Sequence, residues 1–489
     1  MILCGCSIDI SQNSGTTSTL PSQVVSTPTN LPTETVRPPT LLSSPTATVT
    51  PIPAPARAQY TMNVVLDYAA KSVAVDETIL YPNQSGHVLT DLILAVEPDL
   101  WPGCFTLNSI NLDGTAVTNY KLDGQKLSFA LPAVFQPGMT TTIKIQYSLL
   151  LPEIEPTNPN LSRPRIFGYT PNQINLTNWY PFVVPNIGGQ WALHNPWYYG
   201  EHLVYDAADY VVNIKPANPA ATPVIASSGA LSPNGEWTRY TLTSGRTFAI
   251  SASTEYQTAS TLVDGVTVTS YYFPVYKNAG EAVLTAAAQA VQVYTQRFGP
   301  DSHQTLSAVI ADFNDGMEFS AFYFLSKAEY NLYNGTPSQN YLIDLTGHET
   351  AHQWWFEQVA DDQAMQPFLD EAMATYSERI FLESADPSLV PWYWAYRVDQ
   401  NHPGGWVDTS IYNAGGQPQY MSAVYYNGAH FFEDLRARIG DPAFFAFLRD
   451  YLKQENGKIA TLTDFFHILR QHTTVDFSDI VQKYFKNHY

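Results

Sequence analysis

YLIDLTGHETAHQWWFEQVADDQAMQPFLDEAMATYSE, residues 341–378, is the stretch on which the reading of the whole chain turns. Its first half reads as a buried helix that nevertheless carries His348, Glu349 and His352. Two histidines four apart on a helix differ by about 40° in direction, so both imidazoles leave one face and can share a tetrahedral ion. Glu349 lies about 100° around the helix, beside such an ion rather than on it, where a carboxylate can take a proton from water. A third ligand is required, and Glu371 supplies it after 18 intervening residues, in the helical run PFLDEAMATYSERIFLE. A turn near residues 359–363 would let this second helix pack antiparallel to the first. A helix hairpin with idle histidines is the alternative, but burying His and Glu unpaired costs on the order of several kcal/mol. The expectation is one Zn²⁺ per chain on His348, His352 and Glu371, with Glu349 as general base. Glu378, two turns past Glu371 on the same face, is a candidate partner for a metal-bound imidazole.

Around this core the chain divides by pattern. From Tyr60 to about Glu255 short alternating runs such as TMNVVLDY, TTTIKIQYSLLL and TRYTLTSG are separated by Pro-Gly and Asn-Gly turn signals, which predicts an all-β, saddle- or sandwich-like N-terminal domain over 58–255. No titratable cluster with obvious chemistry stands out there, and the aromatic-rich NWYPFVVPNIGGQWALHNPWYYGEH reads as core or inter-domain contact. Past residue 256 two strands flank the helical run GEAVLTAAAQAVQVYTQRFG, and helices dominate after Leu342, with candidates at 342–358, 364–384, 422–439, 441–455, 461–472 and 477–487. Residues 256–489 therefore read as one α+β, mostly helical catalytic domain.

The N-terminus is of another kind. Leu3-Cys4-Gly5-Cys6 resembles the end of a bacterial lipoprotein signal, in which the last cysteine is acylated, although too few residues precede it for a whole signal. From about Ser11 to Arg57 the text is Ser/Thr/Pro-rich with few charges, a spacer reaching roughly 40–140 Å. Residues 1–57 are thus expected to be lipobox and linker, tethering an extracytoplasmic enzyme to a membrane through Cys6. With 24 Lys+Arg against 44 Asp+Glu the net charge is -20, which argues against nucleic acid as a partner. Three cysteines exclude a disulfide framework.

The blocks HETAHQWWFEQV and FLDEAMATYSE, in register and at this spacing, resemble the gluzincin zinc aminopeptidases of the aminopeptidase N family, with their HExxH, 18 residues, then Glu. The resemblance implies a thermolysin-like catalytic domain and removal of N-terminal residues from extracellular peptides. It brings two further elements. Asp315-Gly316-Met317-Glu318-Phe319 stands where the family has GxMEN, so Gly316, Met317 and Glu318 inherit substrate binding, with Glu318 on the free α-amine. Tyr425-Tyr426-Asn427-Gly428 stands where the family has YxKG, so Tyr425 inherits stabilisation of the oxyanion. Gln173 resembles loosely a substrate-reading glutamine. Phe319, Asp315, Asn427, Asp370 and Ala372 depart from the family pattern, and the family's large helical C-terminal domain has no counterpart here. A zinc endopeptidase with an open cleft, or a surface binding module that has lost activity, are the other readings. The oligomeric state is not legible.

Overall fold

Alternation of buried and exposed residues along Ala58–Asp67 and Thr140–Leu150 makes each strand one-sided, which is what a sheet covering a core requires. The computed structural model describes residues 57–154, 166–312 and 316–489. The lipobox-like residues, the linker to residue 56, and Asp315 lie outside them.

Eight strands form the largest sheet, in the order Ala230–Asn234, Trp237–Gly245, Ala208–Pro216, Ala58–Asp67, Ser72–Pro82, Thr140–Leu150, Phe105–Leu112, Thr115–Ala116. Its inner face, with Val64, Ile79, Ile143 and Ile145, shares one core with Leu92, Leu94, Leu127 and Phe129 of a four-stranded sheet. In a second four-stranded sheet the central strands, Ile250–Ser253 and Ile174–Leu176, are buried on both faces. Gln173 beside it is fully buried, donating to Ile310 O and Tyr256 Oη and accepting from Asp312 N. It is locked between the β-rich region and the next sheet, so the substrate-reading role suggested for it does not fit; its amide is spent on the fold.

That next sheet has the order Gln257–Val263, Val266–Tyr272, Thr305–Ala311, Phe322–Ser326, Met317–Phe319. Met317–Phe319 is its edge, antiparallel to Phe322–Ser326. Helix α1 (Lys277–Phe298) crosses it, placing Val283, Ala287 and Val291 on the sheet core and Ala286, Ala290, Tyr294 and Phe298 on the helical core behind. Helix α2 (Tyr341–Ala351) and helix α3 (Glu371–Ala385) pack there, with helix α4 (Asn427–Ile439) against α3. Tyr294 Oη lies 2.9 Å from Gly347 O and 3.0 Å from Ser377 O, tying α2 and α3 to α1 through one hydroxyl. Three further helices, Asp441–Glu455, Leu462–His472 and Ser478–Tyr484, close the helical side. Among the described residues no helix is long and apolar enough to cross a membrane.

The helices differ from expectation at their ends. Helix α2 stops at Ala351 rather than 358, because Phe356 adopts φ 125°, which no helical ladder can pass through. Helix α3 begins at Glu371, not 364, since Pro367 opens a separate short turn before it. The segment expected as one helix over 422–439 is Gln417–Met421, a π-turn at Ser422–Tyr426, and then α4. Helical Lys327–Leu332 and Val390–Val398 carry too weak a period to be read from the sequence.

Candidate active site and metal centre

Asn340 caps α2, its Oδ1 accepting from Leu342 N at 3.1 Å, and the helix behind it is buried almost all round. His348 and His352 are therefore carried on a rigid element, both nearly inaccessible. Glu371 opens α3 opposite them. His348 Nε2, His352 Nε2 and Glu371 Oε2 stand 3.1, 3.3 and 3.7 Å from one another. A tetrahedron with metal–ligand bonds of about 2.0–2.1 Å has edges of about 3.3–3.4 Å, so the three donors already stand at zinc spacing.

The outer partners fix the tautomers. His348 Nδ1 faces Glu378 Oε1 at 2.7 Å, and His352 Nδ1 faces Asp370 Oδ1 at 2.5 Å. Each Nδ1 therefore carries the proton and each Nε2 presents a lone pair inward. Two imidazole lone pairs 3.1 Å apart beside a carboxylate repel unless a cation lies between them. Burial alone would lower the basicity of His348, but its bonds to Glu371 and Glu378 outweigh burial and push it up, so the pocket calls for positive charge. Glu378 is in turn gripped by Arg397; burial would raise this carboxyl, and Arg397 with His348 holds it low.

Glu349, on α2 between the histidines, is 8% exposed and faces the end of the Met317–Phe319 strand. A Cβ on Gly316 would stand only 3.1 Å from Glu349 Oε1, so the small residue leaves this carboxylate its place. Glu318 is 4% exposed, and its carboxylate, that of Asp370 and a ring nitrogen of His352 lie within 4.8 Å of one another. Burial pushes the Glu318 carboxyl well up; His352 opposes this, while Asp370, Glu371 and Glu349 add to it. Met317 and Phe319, on the opposite face of the same strand, pack into the sheet core, Phe319 against Phe322 and Phe324. The Phe319 departure thus fills the core rather than the cleft.

Tyr425 lies in the π-turn, its ring parallel to His348 with centroids 6.1 Å apart. Burial and then the charge of Glu371 push its phenol well up, which keeps it a hydrogen-bond donor. A Cβ on Gly428 would come within 2.4 Å of Ala372 Cβ, and the bare glycine lets α4 close on α3 and bring Tyr425 in. Asn427 donates to Gly405 O and has a structural part.

Residues 292–484 match the Peptidase family M1 domain. Over these residues the chain is an M1 peptidase domain. The M1 zinc metallopeptidase of Deinococcus radiodurans superposes with TM-score 0.60 at 16% identity over 87% of this chain and 93% of that one. A mutant of it bound to a Tyr-Ser-Ala substrate gives 0.61 at 16% identity, over 88% and 95%. Legionella pneumophila aminopeptidase A in complex with aspartic acid gives 0.64 at 17%, over 88% of this chain and 49% of that chain. These likenesses show the fold: a β-rich N-terminal part followed by the helical peptidase part. No curated protein sequence matches the chain. The Deinococcus radiodurans protein is a zinc metallopeptidase by name, and the donor set described above fits that metal.

Among the residues that the sequence pattern does not single out is a carboxylate beside the site. Glu201 is in the β-rich region, where no chemistry was expected, yet burial and then the charges of Glu371 and Glu318 push its carboxyl well up. Its neighbour Gly200 packs so closely on Tyr420 and Ile411 that a Cβ would clash with Ile411. Trp197, Tyr199 and Tyr420 continue this contact to Tyr425. The only signal for it was a charge embedded in the aromatic run WYYGEH.

Proposed function

We propose that the M1 domain is an aminopeptidase that removes N-terminal residues from peptides. One observation carries this reading: Glu318 is a buried carboxylate beside the metal triad that is not itself among the metal donors at zinc spacing. A carboxylate whose charge is disfavoured by burial gains most from a cation brought next to it. The ammonium of a free N-terminus is such a cation. With the nitrogen at Glu318, the first carbonyl carbon is only two bonds away and falls at the triad, so cleavage follows the first residue.

Zinc held by His348, His352 and Glu371 supplies Lewis acidity, acidifying water and polarising a carbonyl. Glu349 takes the proton of the attacking water at its carboxylate and returns it to the departing amine. Tyr425 aims a hydroxyl at the oxygen on which charge develops, a donor of the kind whose removal costs about 2.7–4 kcal/mol of transition-state stabilisation. Glu318 binds and orients the N-terminus, with Gly316 and Met317 supplying backbone at the sheet edge. The Tyr-Ser-Ala complex of the Deinococcus radiodurans relative supports peptides as the substrate class. Leu3-Cys4-Gly5-Cys6 and the Ser/Thr/Pro-rich stretch support an extracytoplasmic setting with a lipid anchor at Cys6.

The test is release of an amino acid from free-amine aminoacyl-naphthylamides by zinc-loaded protein, with N-acetylated peptides as control. Cleavage of blocked peptides with no activity on free N-termini would establish an endopeptidase instead, and a folded protein holding no stoichiometric zinc would leave only a binding module.

A further inference from the structure

Between α2 and α3 the chain runs through a short irregular segment in which Gln363 is 3% exposed. Its Nε2 donates to Glu318 Oε1 at 3.0 Å and to Asp370 Oδ2 at 2.8 Å. The other oxygen of Asp370 is the one 2.5 Å from His352 Nδ1. A single amide thus stands between the carboxylate that faces the substrate amine and the carboxylate that orients a metal-ligating imidazole. Both partners are acceptors when ionised, so the NH₂ end of Gln363 is the end that must face them.

We propose that Gln363 is a positioning residue for N-terminal amine recognition, which it couples to the metal site through Asp370 and His352. The inference deepens the reading of Glu318 given above and rests on it. The side-chain chemistry explains why a glutamine stands here. Asp370 and Glu318 face each other across a buried gap, and each needs a donor. A lysine or arginine would supply one but would neutralise the pocket and occupy the place of the ammonium. An amide satisfies both carboxylates with separate protons and brings no charge, so the site stays anionic for a cation to enter.

The backbone of the reader strand is fixed independently. Gln353, one residue beyond His352, accepts from Ala321 N at 2.8 Å and donates to Phe319 O at 3.1 Å. Gln353 therefore sets where the strand lies, and Gln363 sets where the Glu318 carboxylate points. Gln363 holds Oε1 of that carboxylate, and rotation of Glu318 about its side chain is what its loss would allow.

The experiment uses the full zinc-loaded chain and compares Gln363→Met and Glu318→Ala with the parent. Two inhibitors probe binding: an amino-acid hydroxamate with a free amine, and its des-amino counterpart. For Gln363→Met the expected result is KM for aminoacyl-naphthylamides and Ki for the free-amine inhibitor raised about ten-fold or more, with the des-amino Ki unchanged. Zinc affinity, measured by competition with a chelator, falls about 10-fold, the lower end for loss of an outer partner of a ligand. A merely structural role would weaken both inhibitors together. If Glu318→Ala destroys the preference for the free amine while Gln363→Met matches the parent in KM, both Ki values and zinc affinity, the role of Gln363 is overturned and the Glu318 reading stands. If Glu318→Ala leaves that preference intact, the Glu318 reading itself falls. Gln363→Glu keeps the shape while presenting an acceptor to both carboxylates, and carries the same expectations should the methionine variant fold poorly.

Discussion

Arg397 holds Glu378 with two parallel hydrogen bonds, Nε to Oε2 at 2.8 Å and Nη2 to Oε1 at 2.7 Å, deep inside the helical core. The same Oε1 receives the Nδ1 proton of His348. The guanidinium thereby fixes the carboxylate, the carboxylate fixes the ring, and the ring presents Nε2 to the metal. Asp344 of α2 lies 3.5 Å from Arg397 and shares its charge.

Arg397→Met leaves Glu378 buried without its cation, and removing one partner of such a pair costs about 3–5 kcal/mol. Zinc affinity should fall about 10–100-fold as His348 loses its brace. Chemical denaturation of the zinc-free protein and chelator competition of the loaded one measure the two effects separately. Arg397→Lys should rescue little of either, since a lysine cannot form the paired contact. Full rescue by lysine would mean that charge alone, not geometry, is what Glu378 needs.

Glu349→Gln keeps the shape at the cleft and removes the acceptor of the proton. The expected outcome is kcat lower by about 10²–10⁴ with zinc stoichiometry unchanged. Metal content and steady-state kinetics on the same preparation check it. A variant that turns over at the parental rate would assign the base elsewhere.

His348, His352 and Glu371 are legible in the sequence because their geometry is local: two of them share a helix face, and the third opens the next helix. The same holds for Glu378, which helical periodicity places on the face of Glu371. Gln363, Glu201 and Arg246 are not legible, because each acts through tertiary contacts. Gln363 lies in an irregular segment, and nothing in its neighbours announces that two carboxylates will meet over it. Glu201 is about 170 residues from Glu371 and reaches the site only because the aromatic loop around Gly200 packs on Tyr420. Helix ends fail for a related reason: the α2 pattern continues past Ala351 in the sequence, but the tertiary fold holds Phe356 at φ 125°, where a helix cannot continue.

Arg246 is fully buried and donates to five backbone carbonyls, those of Tyr205, Glu357, Gln358, Gly457 and Lys458. Its backbone nitrogen bonds Ser320 Oγ, next to the reader strand. It therefore joins the β-rich region, the exit of α2 and the loop after Asp441–Glu455. Arg246→Met should destabilise by about 3–5 kcal/mol, since Glu357 loses its neighbouring cation and several carbonyls lose their donor. Denaturant unfolding measures the loss. A change under about 1 kcal/mol would show that rearranged side chains or water replace the guanidinium without penalty.

Glu97 gives a pH dependence remote from the metal. It is 1% exposed, and its Oε2 has no hydrogen-bond partner among the described residues. Burial pushes its carboxyl up to about 8 from an ordinary 4.5, with a hydrogen bond from Asn178 offsetting only part. Below the ordinary value both folded and unfolded chains carry the proton, and the group is indifferent to folding. Between 4.5 and about 8 the unfolded chain releases the proton while the folded chain keeps it, so stability falls as pH rises and levels off above about 8. Glu97→Gln removes that loss. Its melting temperature should exceed the parent's at about pH 8.5 by more than at about pH 5, where the two should nearly coincide. An equal difference at both pH values would mean that Glu97 is charged in the folded protein throughout.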